Sequence, residues 1–124
     1  MNKIKLTSHL CVNGVKETNI NNEHTGILKK NTLIYNEDNM EVEIKILKDK
    51  VLMCRKTDEY EIVLNFNLGE KTTGKYDIYK IGKIDLEIET SKLNIEDGLL
   101  ELSYKLDINN NYDKYNFILN YEVI

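Results

Sequence analysis

The chain has 124 residues and a formal charge of -4, with acidic and basic side chains interleaved, which argues against non-specific nucleic-acid binding driven by phosphate neutralisation. No apolar run approaches the ~20 residues that a membrane-crossing helix needs, and the first sixteen residues hold no continuous stretch that could act as a signal peptide. Ala, Pro, Gln and Trp are all absent while Ile, Tyr, Asn and Lys are abundant, which removes the best helix former and favours strands.

The first predicted strand runs from about Lys3 to Val12, with Ile4, Leu6, Leu10 and Val12 on one face and Ser8 interrupting it. Asn13-Gly14 then signals a tight hairpin. The next strand leaves at Val15 but is polar and weakly patterned until Ile27 and Leu28, with Gly26 suited to a bend or bulge. A short strand at Leu33 to Tyr35 precedes the turn residues Asn36-Glu37-Asp38-Asn39. Met40, Val42, Ile44 and Ile46 alternate with Glu41, Glu43 and Lys45, and a tight loop at Lys48 to Lys50 leads to a strand over Val51 to Lys56. Tyr60, Ile62, Leu64, Phe66 and Leu68 form the next alternating set. From Gly69 to Ile81 the alternation lapses, which predicts one long irregular connection and the best place for a functional loop.

Three amphipathic strands close the chain, carrying Ile84, Leu86 and Ile88; Leu100, Leu102, Tyr104 and Leu106; and Tyr115, Phe117, Leu119, Tyr121 and Val123. Asp97-Gly98 between the first two suits a type I′ turn. The apolar phase is even at Ile88 and odd at Leu93 and Ile95, so one extra residue must sit near Ser91 or Lys92 as a β-bulge. Counting back from the turn pairs Ile95 with Leu100 and Leu93 with Leu102, and beyond the bulge it sets Thr90 opposite Tyr104, with both hydroxyls facing inward. Nine or so strands joined by short turns, with no linker and no helical periodicity, describe one domain over residues 1–124. Such a meander tends to curl and close, so an up-and-down barrel is the leading architecture and a two-sheet sandwich the second.

No catalytic, metal or cofactor motif emerges. Pairing across Asn13-Gly14 puts His9 opposite Thr18 and His24 opposite Lys3, roughly 20 Å apart, too far to share a ligand, so both read as surface histidines. Glu41, Glu43, Asp85, Glu87, Glu89 and Glu101 occupy polar phases and form a solvated face, unlike an acid-base pair. Cys11 and Cys54 read as ordinary thiols.

Arg55 stands out. It is in phase with Val51 and Met53, and pairing Ile46 with Val51 sets it opposite Val42 on the apolar face. There it needs a carboxylate, backbone carbonyls or an anionic ligand. The alternatives are that Leu52 and Cys54 face inward, or that Arg55 snorkels out at the rim. Tyr60, Tyr104, Tyr115 and Tyr121 share the apolar phase with Ser8 and Thr90, either as a hydroxyl-bearing pocket or as buried tyrosines that satisfy themselves at the barrel mouth. Lys71, Lys75, Lys80 and Lys83 give the long connection a local positive excess. Because nearly every inward position carries a large residue, the interior is expected to be filled or narrow.

The stretch from Val51 through Val123 resembles the YwiB-like family of small bacterial proteins. The likeness is carried by Val51-Leu52-Met53-Cys54-Arg55, Phe66 followed by Gly69, Tyr76 followed by Gly82, and the later Gly98, Tyr104 and Tyr121. Residues 1 to 50 fit more loosely, mainly through strand spacing and Thr25-Gly26. The resemblance implies an all-β, antiparallel meander closed into a calycin-like, lipocalin-related barrel of about eight to ten strands, and it brings no activity with it.

The functional expectation is a cytoplasmic, non-catalytic binding module without cofactor or metal. Its ligand would be a small, partly apolar molecule held at the barrel end, with Arg55 meeting any negative charge and Tyr76, Thr90, Tyr104 and Tyr121 completing the site. The alternative is a filled barrel that acts through its outer surface as a homodimer or an adaptor.

Overall fold

A computed structural model describes residues 2–16 and 23–124. The strands are β1 (Asn2–Val12), β2 (Val15–Lys16), β3 (Glu23–Lys29), β4 (Thr32–Glu37), β5 (Met40–Ile46), β6 (Lys50–Lys56), β7 (Tyr60–Asn67), β8 (Lys71–Ile78), β9 (Gly82–Glu96), β10 (Leu99–Ile108) and β11 (Asn111–Val123). Each of β3 to β11 pairs with its chain neighbour, β1 pairs with β3, and β11 returns to β1 from Ile4↔Val123 to Val12↔Tyr115. That last ladder closes an antiparallel barrel of ten strands, with β2 as a two-residue arm on β1. The up-and-down closure expected from the strand rhythm is therefore present, and closure removes the free sheet edges that an open meander would leave.

The alternation of apolar and polar residues becomes inside and outside. Ile4, Leu33, Val42, Ile44, Phe66, Ile88, Leu100, Leu102 and Leu119 are fully buried, while their strand neighbours Lys5, Glu41, Glu43, Lys45, Glu87 and Glu89 are exposed. The expected register holds at two of the three places where counting predicts it. Ile46↔Val51 sets Val42 opposite Arg55, and Ile95↔Leu100 and Leu93↔Leu102 are followed by a shift that places Tyr104 opposite Thr90. Ser91 is the extra residue, and its hydroxyl donates to the Ser103 carbonyl at 3.2 Å.

Four expectations need correction. The stretch Gly69 to Ile81 is not one irregular connection, because Lys71–Ile78 forms β8. Its inward positions include Thr72 and Gly74, too small and too polar to register as an apolar stripe. Gly74 is buried because the Val63 carbonyl of β7 comes so close that a Cβ could not fit. Lys71, Lys75 and Lys83 consequently point outward from strands, and Lys71 meets Glu87 at 3.4 Å across the surface.

The second correction concerns β3. Leu6, and not Lys3, stands opposite His24, while Lys3 pairs with Ile27. The Asn13-Gly14 hairpin continues only through Cys11↔Lys16, and three more residues than a continuous hairpin would hold lie before β3 resumes the pairing. Thr18, the expected partner of His9, lies outside the described residues. Third, His24 is not a surface histidine: it stacks on Tyr35 at 5.6 Å between ring centroids, and its Nε2 is buried.

The fourth is a turn type. At Asn13-Gly14 and Asn109-Asn110 both central residues have positive φ, as a type I′ turn requires, whereas at Asp97-Gly98 only Gly98 does, at +79°. Gly98 is also needed there because the Tyr121 carbonyl would lie 2.8 Å from any Cβ at that position.

Candidate functional site

One end of the barrel carries the turns at 13–14, 38–39, 57–59, 79–81 and 109–110, and Arg55 lies next to the third of these. The other end carries the turns at 30–31, 47–49, 68–70 and 97–98. Toward the second end the interior is apolar: Ile4, Leu33, Ile44, Phe66, Leu100, Leu102 and Leu119 are buried with no polar side chain among them. Among the described residues, Ser8, His24, Tyr35, Arg55, Tyr60, Tyr76, Thr90, Tyr104 and Tyr115 bring polar groups to the rest of the interior, while Thr72 and Tyr121 do so nearer the second end.

The row that holds Arg55 follows from two hairpins. Tyr35 pairs with Val42 across the 38–39 turn, and Val42 pairs with Arg55. Ile62 and Tyr76 continue the row on the far side. Tyr35 and Arg55 thus flank one valine on the same inner face, about 10 Å apart at the backbone by the spacing of neighbouring strands. Arg55 is partly buried and reaches across the interior, with its guanidinium carbon 5.8 Å from the centre of the Phe117 ring on β11. Its Nε donates to Met53 Sδ at 3.5 Å, a weak acceptor for a cation. Among the described residues no carboxylate lies within ion-pair distance of Arg55.

Three polar groups of the interior are under-satisfied. The Tyr35 hydroxyl, Thr90 Oγ1 and His24 Nε2 are buried without a hydrogen-bond partner among the described residues. Each such group costs free energy relative to water until an acceptor or donor reaches it. Burial pushes the Tyr35 phenol far above its ordinary value, although the Arg55 charge pulls the other way. Burial likewise raises Tyr104 to about 12, again against Arg55 and with Tyr115 adding to the rise. Both phenols are therefore uncharged at neutral pH and neither supplies the negative charge that Arg55 lacks.

Of the residues expected to form the site, the fold places Arg55 and Tyr104 within each other's electrostatic reach and Thr90 beside Tyr104 on the neighbouring strand. Tyr76 shares the Arg55 row and packs edge-on against Tyr60, ring centroids 5.5 Å apart. Tyr121 lies elsewhere. It pairs with Leu6 and is four residues along β11 from Phe117, roughly 13 Å toward the apolar end.

Tyr35, His24, Met53 and Phe117 join the Arg55 cluster without having been picked out by sequence. Tyr35 could have been found, since counting back from Arg55 through Val42 and the Asp38-Asn39 turn leads to it. A different cleft, of about 430 Å³, lies on the wall where Cys11, Ser91, Ser103 and Asn116 meet. There Asn116 Nδ2 donates to Ser103 Oγ at 2.8 Å and Ser91 Oγ to the Ser103 carbonyl at 3.2 Å.

A closed antiparallel barrel with a lone interior arginine toward one end is the class of protein that these observations define. The chain belongs to the DUF1934 family, a domain of unknown function, whose model matches residues 4–119. It is similar in structure to the YwiB protein from Bacillus subtilis, known from a crystal structure, with a TM-score of 0.68 and 18% sequence identity over 99% of this chain and 92% of that one. At that identity the likeness speaks for the fold, and it agrees with the family resemblance carried by the residues from Val51 onward. No curated protein matches the chain.

Proposed function

We propose that this protein is a non-catalytic binding module whose barrel, calycin-like in use as well as in shape, takes a small and partly apolar anionic molecule at the Arg55 end. The observation that carries the reading is a guanidinium on the inner wall that meets a thioether and an aromatic ring but, among the described residues, no carboxylate. A partly buried cation gains from a counter-charge, and a ligand anion is a partner that would complete it. The groups nearby are phenols and a hydroxyl that hold their protons at neutral pH, which suits holding an anion better than moving a proton. We place the protein in the cytoplasm, where its two free thiols, Cys11 and Cys54, would stay reduced.

Native mass spectrometry of the gently purified protein tests the reading. The expected result is an excess mass that is lost on denaturation and is missing from Arg55→Met. A clean native mass for the unaltered protein would speak for the second reading, a filled barrel acting as a homodimer or adaptor. That reading draws its support from Val15, Ile81 and Tyr112, large apolar residues exposed on turns of the Arg55 end or beside them.

A further inference from the structure

We infer that the site beside Arg55 takes a monovalent carboxylate with an apolar tail, its oxygens bonding the guanidinium and the Tyr35 hydroxyl. The inference rests on the binding reading above and narrows it to one ligand chemistry. Arg55 is the one Lys or Arg that the strand registers of the described residues turn to the inner face. A single cation neutralises a single negative charge, and the second charge of a phosphate monoester would be left unpaired in a poorly solvated interior. A planar guanidinium also matches a carboxylate as a fork, two N–H donors to two oxygens.

The Tyr35 hydroxyl supplies the second contact. Tyr35 is 2% exposed, its hydroxyl lacks an acceptor among the described residues, and it flanks Val42 on the side away from Arg55. Because both Tyr35 and Tyr104 remain protonated at neutral pH, they offer donors and do not compete with the ligand for the guanidinium. The tail has an apolar lining ready for it in Phe117, Met53, Val42 and Ile62, all on the inner face around the cation. A neutral molecule of the same shape would fill that lining but leave Arg55 and Tyr35 as they are.

Titration calorimetry at pH 7.5 with octanoate, octanol and octyl phosphate separates the cases. Octanoate is expected to bind at least about tenfold more tightly than either of the others, the size of a charge-assisted hydrogen bond. Arg55→Met should erase the preference over octanol, and Tyr35→Phe should weaken octanoate by about fivefold while leaving octanol unchanged. Arg55→Lys, which keeps the charge and loses the fork, should fall between. Circular dichroism confirms that each variant is folded.

If octanol or octyl phosphate binds as tightly as octanoate, the carboxylate assignment is overturned while the barrel remains a binding module. If none of the three binds and the native mass spectrum still shows a bound species, the assignment alone falls. If none binds and that spectrum is clean, the binding reading falls with it.

Discussion

Around Phe66 the barrel interior is built from Leu33, Ile44, Val51, Leu100 and Leu119, each at most 1% exposed and none with a polar atom in its side chain. Elsewhere the inner face carries the Arg55 guanidinium and the Tyr35 and Tyr104 phenols, and Tyr35 Oη, Thr90 Oγ1 and His24 Nε2 find no partner among the described residues. The same alternation produces both regions, yet the first stabilises the fold while the second holds desolvated groups at a cost. On the proposed reading, polar groups kept where Leu or Met would serve stability better are kept for a ligand.

Substitutions in the two regions should therefore behave differently. The largest expected loss is from Phe66→Ala, which removes a fully buried ring and its 4.7 Å packing on Tyr104. It should cost about 3–5 kcal/mol in urea unfolding. A cost under about 1 kcal/mol would mean that this end is not the close-packed region described. Next comes Gly26→Val, whose Cβ would sit 2.9 Å from Tyr35 Cβ and nearer still to the Ile34 carbonyl. Overpacking of that kind should cost on the order of 2–3 kcal/mol, and because it displaces Tyr35 it should also weaken ligand binding.

The polar region has its own signature in alkaline solution. Tyr104 in the folded barrel is raised to about 12, so its contribution to stability is intact below its ordinary value of 10.0 and is lost as pH climbs toward 12. Tyr35 shifts in the same direction for the same reason. Urea midpoints measured across that window should fall, by on the order of 2 kcal/mol for Tyr104, and Tyr104→Phe should flatten the curve. An unchanged alkaline profile in Tyr104→Phe would show that the phenol is not buried as described. The smallest effect is expected at Asn110→Gly, where φ is +68°: a gain of a few tenths of a kcal/mol, since the residue is exposed on a turn and packs against neither interior region.

The apolar half was legible in the sequence because every second residue of β5, β7 and β10 is large and aliphatic or aromatic, and a period of two has one structural meaning. The bulge at Ser91 was legible for the same reason, as a change of parity between Ile88 and Leu93. Arg55 could be placed by counting through one short loop.

What escaped notice depends on contacts between strands. Gly74 and Thr72 make β8 resemble a loop, and only the approach of the Val63 carbonyl explains why a glycine must be there. His24 escapes a count from the Asn13-Gly14 turn because β3 pairs with β1 three residues out of that hairpin's register. Tyr35 sits in a short strand whose pattern reveals little, and its role emerges only when two hairpins place it in the Arg55 row.

The most direct test of the contrast is the equilibrium urea unfolding of Arg55→Met, compared with the unaltered protein stripped of any bound molecule. An arginine held for a ligand, and not for the fold, should leave stability unchanged or raised by up to about 1 kcal/mol when it is replaced by an apolar side chain of similar length. A loss comparable to that of Phe66→Ala would show that Arg55 belongs to the structural core and would contradict the account.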